Sequence, residues 1–238
     1  MSQTYFQKHE KDLKKVIARY KKDREEEQYK FNFEYSLLDK IEHDAMANPL
    51  RYYQMEALYI LDYLTSASVD KNLRKELLES IEGEDKIPFL GFEMATGSGK
   101  TLLMGAAMYY LNQRHGIQNF LIITPASTDI YQKSVRNFSM KTKDSVWSRD
   151  FPLDFNLVTG DNYSENQIGF DMRKPMNIFV FNIAKFGKNA VNTMKRWESS
   201  VWKDDQGNVI AVRDFLRKNR LAIITDEAHH AQSTTANQ

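Results

Sequence analysis

Two short stretches carry residue types whose spacing suits chemistry on a phosphate. The first is Gly91-Phe-Glu-Met-Ala-Thr-Gly-Ser-Gly-Lys-Thr101, a glycine-rich turn between an apolar run and a helical pattern. Gly97 and Gly99 can adopt backbone angles closed to other residues and present no side chain, so successive N–H groups can turn inward around phosphate oxygens. A helix starting near Lys100 would aim its positive end at the same anion. On this reading Thr96, Gly97, Ser98, Gly99, Lys100 and Thr101 bind ATP, with Lys100 neutralising the β- and γ-phosphates and the Thr101 hydroxyl ligating Mg2+.

The second stretch, Leu221-Ala-Ile-Ile-Thr-Asp-Glu-Ala-His-His230, is an apolar strand ending in two carboxylates. In an open α/β sheet functional groups collect beyond the C-terminal ends of strands, so Asp226 and Glu227 can face the same crevice as the glycine loop. Adjacent acids there can divide the work: Asp226 holds magnesium, through water, and Glu227 positions and polarises the water that attacks the γ-phosphate. Alone, an apolar run capped by acids is equally a strand followed by a solvated helix start. His229 either couples nucleotide state to a partner domain or is a polar surface group. His229 and His230 do not make a metal site, because neighbouring helical positions diverge and no further His or Cys completes a set.

These residues need a sheet to position them. After Pro88, short apolar runs alternate with helical patterns at Phe89 to Met94, Phe120 to Thr124, Phe155 to Thr159, Ile178 to Asn182 and Leu221 to Thr225. That rhythm predicts a parallel sheet with helices on both faces. Lys203 to Val209 reads as a polar turn, a short hairpin inside an insertion. Earlier in the chain, Leu13, Val16, Ile17 and Tyr20 recur at helical spacing amid lysines and a glutamate run, which predicts an amphipathic helix with a solvated charged face. Asn48-Pro49 is the first clear break. A helix is expected from near Leu50 to about Leu64, and another over Leu73 to Ile81.

Taken together, Met94-Ala-Thr-Gly-Ser-Gly-Lys-Thr101 and Asp226-Glu-Ala-His229 resemble motifs I and II of superfamily 2 DEAD/DEAH-box helicases, most closely the motor subunit of type I and type III restriction enzymes. The full loop pattern expects glycine where this chain has Met94, a change that helicases tolerate. Upstream, Leu50-Arg-Tyr-Tyr-Gln-Met-Glu-Ala57 is similar to the element with which those motors recognise adenine. By that resemblance Gln54 reads the adenine edge and Arg51 assists; the plain alternative is an ordinary amphipathic helix. Downstream, Ile122-Ile-Thr-Pro-Ala-Ser127 looks like motif Ia and Phe179-Val-Phe-Asn-Ile-Ala-Lys-Phe186 like the Ib region. The resemblance makes Thr124, Pro125, Asn182 and Lys185 candidate nucleic-acid backbone contacts, which give grip without reading sequence.

The resemblance implies an α/β fold: a P-loop NTPase domain of RecA-like type, its parallel sheet flanked by helices, over residues 49–238, preceded by a helical N-terminal extension over 1–48. Its pattern continues past the Asp226 motif with a motif III strand and a second RecA-like domain. The motif III strand normally lies between the glycine-loop strand and the acidic strand. The sheet is therefore expected to be incomplete, and the chain to be an N-terminal fragment, a truncated product or half of a split protein. The partners implied are nucleic acid, with DNA favoured, the second RecA-like domain in cis or in trans, and methyltransferase or specificity subunits. Two other readings stay open: a different P-loop ATPase or kinase, and a truncated motor kept as a non-catalytic interaction module.

Composition bounds these readings. The chain has 238 residues, 42% of them hydrophobic, enough for a substantial core. Its longest apolar run, Leu102 to Leu111, falls well short of the roughly 20 residues that cross a bilayer. The polar N-terminus lacks a secretory pattern, and there are no cysteines, so a cytoplasmic protein without disulfides or thiolate metal sites is expected. A net charge of +1 means that any nucleic-acid contact must come from a local basic surface.

Overall fold

An apolar run that does not alternate, such as Ile178-Phe-Val-Phe181, fits a strand covered on both faces. The structure, a computed structural model, bears this out. It describes residues 5–26, 37, 40–65, 91–92, 94–161, 173–186, 201–203, 209–211 and 219–226. Four strands form an all-parallel sheet: β1 (Asn119–Thr124), β2 (Phe155–Thr159), β3 (Met176–Asn182) and β6 (Leu221–Thr225), in the spatial order β2-β3-β1-β6. All of β3 is buried, and in β1 only Ile123 is partly exposed. Between Lys203 and Val209 the expected hairpin is present, as β4 (Val201–Lys203) antiparallel to β5 (Val209–Ala211).

The fifth expected strand, Phe89 to Met94, is described only in part. Gly91, Phe92 and Met94 are not in a strand, while Phe89, Leu90 and Glu93 lie outside the described residues. In the described sheet β6 is an end strand. On the open side Leu221 and Ile223 are exposed, at 37% and 57%. The parallel sheet is not closed.

The chain divides into two compact units, Met1–Leu38 with Leu50–Lys100, and Asp39–Pro49 with Thr101–Gln238. In the second unit, an asparagine ladder ties the N-terminal ends of the strands. Asn156 Nδ2 donates to Asn177 Oδ1 at 2.7 Å, Asn177 Nδ2 to Asn119 Oδ1 at 3.0 Å, and Asn119 Nδ2 to the Arg220 carbonyl at 3.1 Å. An aromatic group of Phe138, Trp147, Phe151 and Phe155 packs with ring centroids 4.4 to 6.4 Å apart. The segment Asp39–Pro49 includes a wide helical turn (Lys40–Ala45) and joins this group through an antiparallel bridge between Met46 and Trp147.

In the first unit, α1 (Tyr5–Glu25) packs on α2 (Tyr52–Thr65). Tyr20 and Tyr63 meet edge to face at 5.4 Å, Tyr63 Oη donates to Asp23 at 2.7 Å, and Tyr20 Oη donates to Glu56 at 3.0 Å. Arg24 bridges to the Glu56 carboxylate and lies over the Tyr59 ring. The charged face of α1 is thus only partly solvated: Lys14 and Lys15 are exposed, whereas Asp23 and Arg24 hold α2. Burial first, and the Glu56 hydrogen bond after it, raise the Tyr20 phenol above its ordinary pKa. The helical pattern at Leu73 to Ile81 lies outside the described residues. Among the described residues no helix is long and apolar enough to cross a membrane.

Candidate nucleotide site

The glycine loop has the backbone its residues foretell. Ser98 N–H donates to the Ala95 carbonyl at 3.2 Å, closing a turn whose third residue, Gly97, has φ +77°. A positive φ at that position is what favours glycine. Gly99 also lies in the left-handed region at φ +87°, and immediately after it α3 (Lys100–His115) begins. Lys100 is the first residue of a 16-residue helix, so the loop runs directly into the helix's positive end. Lys100 and Thr101 are half-buried, whereas Thr96 and Gly97 are exposed. The Ser98 hydroxyl is buried without a hydrogen-bond partner, an uncompensated polar atom inside the loop.

The adenine-type element meets this loop. Arg51 occupies the N-cap position of α2, and Gln54, three residues on, accepts the Arg51 N–H through Oε1 at 2.7 Å, one half of a capping box. The other end of the carboxamide, Nε2, donates to the Gly99 carbonyl at 2.9 Å. Only one orientation of the amide satisfies both bonds, so its donor and acceptor ends are fixed. Gln54 is 1% exposed, while Arg51 is exposed and donates through Nη1 to the Tyr53 hydroxyl at 3.1 Å. That hydroxyl in turn donates to the Ser98 carbonyl at 2.8 Å. Sequence reasoning passed over Tyr53; its only signal is its place inside the Arg51 to Gln54 element.

Parallel pairing sets three of the other candidates in one row. Thr124 at the end of β1 is in register with Asn182 at the end of β3, and Asp226 follows Thr225, which pairs with Ile123. Asp226 leaves β6 with its N–H bonded to the Ile123 carbonyl at 3.2 Å and its side chain half-buried. The side chains of Thr124 and Asn182 are directed into the protein, at 1% and 9% exposed. The Asn182 carboxamide oxygen accepts the Ala184 N–H at 2.8 Å, capping the short helical turn (Ile183–Phe186) that contains Lys185. Pro125 is half-buried and leads to Ser127, the N-cap of α4 (Thr128–Phe138). Glu227, His229 and His230 lie outside the described residues.

Taken separately, the loop has a chemistry that suits a nucleotide's phosphates, and the second unit offers oxygen donors that suit a divalent cation. The two left-handed glycines are compatible with a turn that directs N–H groups at a phosphate, and the helix start adds partial positive charge. The donors offered to a cation are oxygens, the Thr101 hydroxyl and the Asp226 carboxylate. Such a sparse set suits Mg2+, which takes its other ligands from water and phosphate. Among the described residues there is no group of three or more His, Cys, Asp or Glu that could hold a metal ion by itself.

The family described as type III restriction enzyme, res subunit, matches residues 48–238. The chain belongs to that family. Membership implies a helicase-superfamily domain of the ATP-dependent, helicase-like motor type, which acts on nucleic acid. The likeness to type I motors has no separate support. No curated protein matches the chain, and no solved structure does.

Proposed function

We propose that this chain is the ATP-binding part of a DNA translocase serving a restriction enzyme or a related anti-phage system. The observation that carries the reading is the left-handed glycine loop opening directly into α3, in a chain matched by the res subunit family over residues 48–238. Thr96 to Thr101 hold the phosphates, with Lys100 as the counter-charge, and Gln54 and Arg51 select adenine. Thr101, and Asp226 through water, would hold a magnesium ion, which would supply charge to offset that of the phosphate oxygens. Glu227 positions and polarises the water that attacks the γ-phosphate, and His229 couples nucleotide state to a second RecA-like domain. Pro125 and Lys185, with the backbone around the buried Thr124 and Asn182, grip the DNA phosphates. Gripping phosphate and sugar moves a motor along DNA of any sequence.

Two features of the reading are measurable on residues 1–238. Calorimetric titration with Mg-ATP should show binding that Lys100→Ala weakens about tenfold or more, because a charge-assisted contact to phosphate is lost. In this class the arginine that stabilises the transferring phosphate, worth roughly 10³ to 10⁵ in rate, belongs to the second RecA-like domain. Residues 1–238 should therefore bind ATP without robust DNA-stimulated turnover. Unchanged Mg-ATP affinity in Lys100→Ala would defeat the proposed phosphate role of the loop.

A further inference from the structure

The first turn of α2 does more than offer an adenine-reading amide. Two of its side chains donate to consecutive carbonyls of the loop: Tyr53 Oη to Ser98 O at 2.8 Å, and Gln54 Nε2 to Gly99 O at 2.9 Å. There is no cis peptide among the described residues, and in a planar trans peptide the C=O and the following N–H point in opposite directions. Pinning the Ser98 carbonyl toward Tyr53 therefore turns the Gly99 N–H away from α2. Pinning the Gly99 carbonyl toward Gln54 does the same for the Lys100 N–H. These are the two N–H groups at the junction of loop and helix, where an anion is best met.

Both donors are themselves held. Arg51 Nη1 donates to the Tyr53 hydroxyl at 3.1 Å, which leaves the phenol proton directed at Ser98. The Gln54 amide is oriented from its far end by the Arg51 N–H. A left-handed Gly99 is flexible by itself, since glycine populates positive and negative φ about equally. Two external hydrogen bonds on either side of it select one conformation before any ligand arrives.

We infer that Tyr53 is a positioning residue of the phosphate loop, acting with Gln54 to aim the Gly99 and Lys100 amides, and that it serves the phosphate end of the nucleotide rather than the base. This rests on the reading of Thr96 to Thr101 as a phosphate loop. The role is preorganisation: the ordering of the loop is completed by protein bonds instead of being charged against binding.

The test uses residues 1–238 with three probes: Mg-ATP, Mg-GTP and inorganic tripolyphosphate, which has no base. Tyr53→Phe keeps the ring and removes only the donor. Its affinity for Mg-ATP and for tripolyphosphate should fall by the same factor, about fivefold, the size of one net hydrogen bond. Its preference for ATP over GTP should be unchanged, an outcome that general loosening of α2 would not give. Amide NMR supplies a second readout: tripolyphosphate should shift the Gly99 and Lys100 N–H signals of the wild type, and shift them less in Tyr53→Phe. Equal tripolyphosphate affinity and equal shifts in both proteins overturn the inference, as does a loss confined to Mg-ATP, which would make Tyr53 a base contact. A wild type that binds neither ATP nor tripolyphosphate overturns the phosphate-loop reading itself.

Discussion

At the scale of single residues, the two left-handed glycines are not equivalent. A Cβ built on Gly97 meets nothing within 4 Å, whereas one on Gly99 falls 2.7 Å from Gln54 Nε2. That nitrogen is the end of a flexible side chain, but Gln54 is buried and tied at both ends, so moving it breaks the bonds to Gly99 O and to the Arg51 N–H. Gly97→Ala should cost only the strain of a left-handed alanine, about 1–2 kcal/mol. Gly99→Ala should cost that plus the displaced amide, a further ~1–3 kcal/mol. Denaturant titration of both variants checks the order, and equal losses would refute the close packing of Gln54 on the loop. The sequence singled out Gly97, Gly99 and Gln54 as candidate nucleotide contacts, and the structure brings Gln54 against Gly99. Nothing in the sequence hinted that the Gln54 amide is turned onto the loop, because that depends on where α2 meets residues some 45 positions away.

At the scale of elements, the strands are held in register by more than apolar burial. Asn119, Asn156 and Asn177 lie in three adjacent strands and pass hydrogen bonds from one to the next, each 5% exposed or less. In parallel strands the side chains that face one another are set by register, and here Asn119 pairs with Asn177 and Asn177 with Asn156. Asn177→Leu would bury Asn156 Nδ2 and Asn119 Oδ1 without this partner. With ~1–3 kcal/mol for each buried polar group left unsatisfied, a loss of about 2–4 kcal/mol is expected. A loss below about 1 kcal/mol by chemical denaturation would mean that the ladder is incidental. The apolar runs made β1, β2, β3 and β6 legible in advance. The ladder was not, since three asparagines spread over 59 residues, from 119 to 177, have no periodicity to betray their contact.

For the whole molecule, buried phenols set an alkaline limit. Burial foremost, and the Asp161 carboxylate to which its hydroxyl donates at 3.0 Å, push the Tyr131 phenol up to about 12 from 10.0. Burial raises Tyr109 and Tyr20 as well. A phenol whose pKa is higher in the folded state favours folding in its neutral form. That contribution is complete below the unfolded value of about 10 and is lost as pH climbs through about 12. Stability should hold steady up to about pH 10 and then decline, and Tyr131→Phe should decline less steeply over the same window. Parallel declines in the two proteins would remove Tyr131 as a source of the effect.

The sequence by itself determined what depends on neighbours along the chain: the glycine loop, the helix that follows it, the buried strands, and the acid at the end of the last one. Those features are local, because backbone angles and hydrophobic period are written within a few residues. Only the tertiary structure decided which strands adjoin, that the described sheet ends at β6, and that Tyr53 and Gln54 reach the carbonyls of Ser98 and Gly99. Each of these requires groups far apart in the chain to meet, and hydrogen bonds of that kind are fixed by packing rather than by sequence spacing.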